Sequence, residues 1–90
     1  MTRNELLAKL QTCKVPASLF SLNDGLKPDA FILSESNGVW EGFYFDEKGN
    51  EHDRIIYPSE EIAYDYLWNK LEREMRFFYP ERFSGDATPG

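Results

Sequence analysis

The stretch DAFILSESNGVWEGFYFDEKGNEHDRIIY, Asp29 to Tyr57, decides the fold. Three runs with strand-like alternation, Asp29–Glu35, Val39–Asp46 and Glu51–Tyr57, are separated by Asn37-Gly38 and by Glu47-Lys48-Gly49-Asn50. Asn-Gly is the preferred pair of a type I′ hairpin, and connections this short leave neighbouring strands no choice but to be antiparallel. A two-residue loop at Asn37-Gly38 sets Glu35 opposite Trp40, Leu33 opposite Gly42 and Phe31 opposite Tyr44. Centring the second turn on Lys48-Gly49 sets Trp40 opposite Tyr57, Gly42 opposite Ile55 and Tyr44 opposite Asp53. A one-residue slip in that turn would reassign the third strand.

Helices flank the meander. Thr2 and Glu5 make a capping-box pattern, and Leu6, Leu7 and Leu10 follow at helical spacing, so a helix covers about residues 3–13. Val15-Pro16 stops it. Residues 16–28 read as a compact connection that carries Leu19, Phe20 and Leu22 inward, with a tight turn at Asn23-Asp24-Gly25. After Pro58, Ser59 is an N-cap with acids in the first turn, and the helix runs to about Phe78. Its apolar stripe is Ile62, Ala63, Tyr66, Leu67, Leu71, Met75 and Phe78. The expected class is α+β, in the order α-β-β-β-α: one domain over residues 1–83, with a three-stranded antiparallel meander packed against helices and a disordered tail at 84–90.

Alternation divides the sheet into two faces. Phe31, Leu33, Trp40, Tyr44, Ile55 and Tyr57 share the face expected to carry the helices. Ala30, Ile32, Ser34, Glu41, Phe43, Phe45, His52, Arg54 and Ile56 share the other, whose mixture of large apolar and charged groups resembles a recognition surface. Phe43, Phe45 and Ile56 are its candidate anchors, and Glu41, Asp46 and Glu47 its candidate charges. The same face could instead be covered by the first helix, by the 16–28 connection or by a second copy of the chain. Tyr64 and Trp68, at i and i+4 among Glu61, Asp65 and Glu72, form a second candidate contact patch; the competing reading wraps them onto the core.

Charge narrows the partners. Sixteen carboxylates against ten Lys and Arg leave a net charge of −6 in ninety residues. That field repels phosphate backbones and anionic membranes, so neither direct nucleic-acid binding nor membrane binding is expected, and a basic partner is favoured. One cysteine, Cys13, fits a reducing compartment, and no apolar run at the N-terminus is long enough for a signal peptide, so a cytoplasmic location is expected.

Chemistry finds little footing. His52 and Asp53 are adjacent in a strand and point to opposite faces, and Cys13 sits at a helix C-terminus, where the dipole disfavours a thiolate. One Cys and one His cannot close a zinc site. Asp46–Tyr57 matches a calcium loop only superficially, with glycine at its fourth position and Tyr57 where the twelfth needs glutamate. No catalytic residue, metal ligand or cofactor is assigned, and the chain is expected to act by binding.

Several segments carry a resemblance: Leu22-Asn-Asp-Gly-Leu-Lys-Pro-Asp29 leading into a strand, Gly38-Val-Trp40 opening a Trp-bearing strand, the turn Asp46-Glu-Lys-Gly49, and Pro58-Ser-Glu-Glu-Ile-Ala63 opening an aromatic-rich helix. Over about residues 20–72 the chain resembles small immunity proteins encoded beside toxins in bacterial polymorphic-toxin and contact-dependent growth inhibition loci. The resemblance implies a cytoplasmic, non-catalytic inhibitor whose partner is the C-terminal domain of a cognate secreted toxin, with a basic nuclease the best match to the acidic charge. It transfers no site residues. The alternative is a small acidic adaptor or regulatory domain, self-associating or docked on a host protein; the oligomeric state stays open.

Overall fold

Asn37 and Gly38 both adopt positive φ, 54° and 80°, the type I′ geometry whose twist matches that of paired strands. The computed structural model describes residues 1–82, so residue 83 and the expected tail at 84–90 lie outside the described residues. Its elements are α1 (Arg3–Thr12), β1 (Phe20–Leu22), β2 (Ala30–Ser36), β3 (Val39–Phe45), β4 (Glu51–Tyr57) and α2 (Glu60–Phe78), with single 3₁₀ turns at Ala17–Leu19 and Pro80–Arg82. The class is α+β. The sheet has four strands in the order β1-β2-β3-β4, and β1 runs parallel to β2, which corrects the expected three-stranded antiparallel meander.

The additional strand is short and unusually connected. Phe20 and Leu22 face the helices within the main core, while Ser21 between them is fully buried toward the other side. Parallel neighbours normally need a crossover of a dozen residues or more. Here residues 23–29 suffice, because a three-residue strand requires a return of only about 10 Å. The Ser21 hydroxyl donates to the Gly25 carbonyl at 2.6 Å, so this return passes over the face away from the helices. The Asn23 side chain accepts from the Glu35 backbone N–H at 2.8 Å and ties the loop to β2.

β2 and β3 pair in the expected register, Glu35 with Trp40, Leu33 with Gly42 and Phe31 with Tyr44. β3 and β4 begin as expected, Trp40 with Tyr57 and Gly42 with Ile55, but Tyr44 then faces His52 and Phe45 faces Glu51. Asp53 and Arg54 together stand opposite Phe43, a β-bulge, and Asp53 takes the left-handed conformation at φ 57°. An inserted residue reverses the alternation beyond it. His52 therefore lies on the helix-facing side beside Tyr44, with ring centroids 6.3 Å apart, and not on the outer face assigned from alternation.

Both helices lie on one face. Thr2 caps α1 through a capping box with Glu5, and Lys14 at φ 53° ends the helix as Val15 N–H reaches back to the Leu10 carbonyl at 3.0 Å, the Schellman pattern usually built on glycine. Ser59 caps α2 by accepting from Ile62 N–H at 3.2 Å. The core joins Leu6 and Leu10 of α1 to Leu22, Leu33 and Tyr57 of the sheet and to Ala63, Tyr64, Leu67, Trp68 and Leu71 of α2. Ile62 and Phe78, expected on the stripe, are 47% and 60% exposed. A smaller cluster of Ala30, Ile32 and Phe43, flanked by Phe45, occupies the opposite face.

Gly42 has a packing role. A Cβ there would lie 3.0 Å from Tyr57 Cε2, 3.2 Å from its hydroxyl and 3.3 Å from the Ile32 carbonyl oxygen. The Tyr57 ring lies across the space a side chain would fill. Gly42→Val should lower the unfolding free energy by about 2–3 kcal/mol through overpacking, read as a fall in urea midpoint; an unchanged midpoint would mean that the ring has another place to go.

Candidate functional site

The outer sheet face assigned from sequence carries an ion cluster over a small core. Arg54 reaches Glu51 Oε1 at 2.5 Å with one guanidinium nitrogen and Glu41 with another, and its guanidinium carbon lies 5.2 Å from the Phe43 ring centroid. The bulge creates this arrangement by bringing Glu51 onto the same face as Arg54. Phe43 is only 9% exposed, and Phe45 stands edge-on to it at 6.4 Å. Phe43 is therefore the base of the second cluster and not a free anchor, a correction that follows from its packing with Ala30, Ile32 and Phe45 and from the guanidinium above its ring. Ile56 is 68% exposed, Glu47 is exposed at the β3–β4 turn, and Glu41 and Phe45 are half-buried.

Asp46 organises that turn. Its carboxylate accepts from the backbone N–H groups of Lys48 at 2.9 Å and Asn50 at 2.8 Å, and its other oxygen lies 2.7 Å from His52 Nε2. The His52 hydrogen bond, then those from Asn50 and Lys48, hold its pKa down at about 2. The histidine thus finds its carboxylate partner across the turn, and not in Asp53 beside it in the strand.

Tyr64 and Trp68 lie in the core. They are 0% and 7% exposed, Tyr64 meets Trp40 edge-to-face at 5.3 Å, and its hydroxyl donates to Glu60 Oε1 at 2.6 Å. The packing reading of this pair holds, because α2 is covered by the sheet on one side and by α1 on another. They leave the set of candidate contact residues.

A surface that sequence reasoning missed opens at the other end of the helix-facing side. There Phe31, Tyr44, His52 and Asp53 of the sheet and Glu74 of α2 line a shallow groove of about 440 Å³. Phe31 and Tyr44 form its aromatic base, edge-to-face at 5.1 Å, and both are half-buried. The Tyr44 hydroxyl donates to Asp29 Oδ1 at 3.4 Å. Burial, then the charges of Asp29, Glu74 and Asp46, push the Tyr44 pKa up, so three carboxylates sense this hydroxyl. Among the described residues Asp53 and Glu74 form no ion pair, whereas Glu41, Asp46, Glu51, Asp65 and Glu72 all do. On the α2 side Lys70 is drawn over the Tyr66 ring at 5.1 Å, and Arg73 lines an adjoining recess with Phe31 and Glu74.

One signal could have revealed the groove. Lys70 and Glu74 interrupt α2 beside Leu67 and Leu71, so the helix presents charge where the sheet presents Phe31 and Tyr44. The part played by Asp53 depends on the bulge and had no such signal. Among the described residues no helix is long and apolar enough to cross a membrane, and no three His, Cys, Asp or Glu side chains gather as a metal-holding group. No family model, curated protein or solved structure matches the chain.

Proposed function

We propose that this chain is an immunity-type protein: it binds the basic C-terminal domain of a cognate secreted toxin, a nuclease in the first instance, and blocks it in the cytoplasm of the producing cell. One observation carries the reading. The chain holds an excess of six negative charges, and among the described residues two carboxylates without an ion pair, Asp53 and Glu74, line an aromatic groove with Phe31 and Tyr44. A basic toxin domain meets there the charge it would otherwise seek on phosphates, and the field speeds its capture. Such a role asks for tight binding and no chemistry.

The proposal expects a basic toxin domain encoded next to this gene, and expressing that domain in a naive bacterium, with and without the chain, tests it. Growth rescue is expected, with nanomolar affinity, about −12 kcal/mol. The on-rate should exceed the ~10⁵–10⁷ M⁻¹s⁻¹ of unsteered docking and fall as salt rises from about 50 to about 500 mM. Absence of rescue, with no complex at micromolar concentration, overturns the proposal. A dimer in light scattering under the same conditions would then favour a self-associating adaptor.

A further inference from the structure

We infer that the groove between Phe31, Tyr44 and Glu74 receives a single cationic side chain, an arginine, projecting from the partner. The inference deepens the proposed function, because it rests on the reading of the partner as basic, and it names the element of that partner which is recognised.

The chemistry of the walls selects the occupant. The base is two aromatic rings in edge-to-face contact, and a guanidinium is attracted to an aromatic face while remaining weakly enough hydrated to leave water. Asp53 lines the sheet side of the groove and Glu74 the helix side. Both lack an ion pair among the described residues, and Asp29 accepts from the Tyr44 hydroxyl at 3.4 Å. Carboxylates set beside a ring suit a planar fork of N–H donors, which can stack and donate at the same time. Asp53 and Glu74 disfavour an anion, and His52, which also lines the groove, is held by Asp46 at 2.7 Å. An uncharged apolar side chain would bury the carboxylates without a partner, at a desolvation cost it could not offset.

The positive groups nearby orient the guest. Lys70 is engaged with the Tyr66 ring at 5.1 Å, and Arg73 borders the neighbouring recess. An entering guanidinium is therefore directed away from α2's basic pair and toward Asp53.

Titrating the full chain with blocked arginine (N-acetyl-arginine amide), and separately with blocked citrulline, its uncharged near-isostere, reads the groove by amide and aromatic chemical shifts. Saturable shifts at Phe31, Tyr44, Asp53 and Glu74 are expected with arginine, with at least tenfold weaker binding of citrulline. The double variant Asp53→Asn, Glu74→Gln should abolish the arginine response while leaving amide shifts in the core unchanged. Equal responses to the two probes, or shifts spread evenly over all exposed carboxylates, overturn the inference. The same variant is then carried to the adjacent toxin domain, where at least a tenfold loss of affinity is expected. If the wild-type chain neutralises that toxin and the double variant does so equally well, the groove is not the contact, although the immunity reading stands. If arginine binds as described and the toxin does not, the immunity reading falls and the groove remains a guanidinium site.

Discussion

Tyr64→Ala should lower the unfolding free energy by about 3–5 kcal/mol, the range for removing a large aromatic from a packed core. Its side chain is fully buried, set edge-on to Trp40 at 5.3 Å and hydrogen-bonded to Glu60 at 2.6 Å. Truncation removes apolar burial, leaves a void bounded by α1, α2 and the sheet, and frees a carboxylate from its donor. A single domain is stable by only ~5–15 kcal/mol, so the variant should lose a large share of its stability and unfold at a much lower urea concentration. Tyr64→Phe isolates the hydrogen bond and should cost about 1 kcal/mol. Urea titrations followed by the fluorescence of Trp40 and Trp68 measure both. A Tyr64→Ala midpoint within about 0.5 kcal/mol of wild type, the range of a surface substitution, would return this residue to the surface.

Phe43→Asp is the second large effect, and it acts on folding before it acts on binding. Phe43 is 9% exposed and shares a cluster with Ala30 and Ile32, both almost fully buried. Replacing it loses the ring's burial, about 3–5 kcal/mol, and adds a carboxylate beside Glu41 and Glu51 in a site already balanced around Arg54. The thermal transition should lose cooperativity or disappear, and Phe43→Leu should restore it. Ile56→Asp on the same face, at a residue 68% exposed, should leave the transition within about 0.5 kcal/mol of wild type. If Phe43→Asp instead kept a wild-type melt and lost only partner binding, the outer face would be the docking surface after all.

The contrast between these residues shows what the sequence could reveal. The β2–β3 register was legible because Asn37-Gly38 admits positive φ at both positions, and a two-residue loop permits one pairing. The β3–β4 register was legible only at the Trp40–Tyr57 end. Pairing at the other end is displaced by one residue, and Asp53 absorbs the difference in a conformation aspartate tolerates; strict alternation contains no sign of it. β1 was invisible because three residues are too few for a period, although Phe20 and Leu22 were expected inward, as found. Tyr64 and Trp68 lay off the stripe drawn on the helical wheel. A helix gripped by both a sheet and a second helix buries a wider arc than that stripe. The acidic charge was legible from composition, but the placing of Asp53 and Glu74 beside Phe31 and Tyr44 depends on the bulge and on where α2 stops covering the sheet.

The bulge in β4 also bears on the behaviour of the protein in concentrated solution. A sheet with open edges is a template on which further chains can add, and long flat edges are where ordered aggregates begin. Here one edge, β1, offers three residues, and the other, β4, turns left-handed at Asp53 partway along and carries Glu51, Asp53 and Arg54 at its start. An incoming strand would find its hydrogen-bonding ladder interrupted at Asp53, with charges crowded where it should continue. Removing that interruption by straightening and neutralising β4 would turn an edge that ends the sheet into one that invites fibril growth.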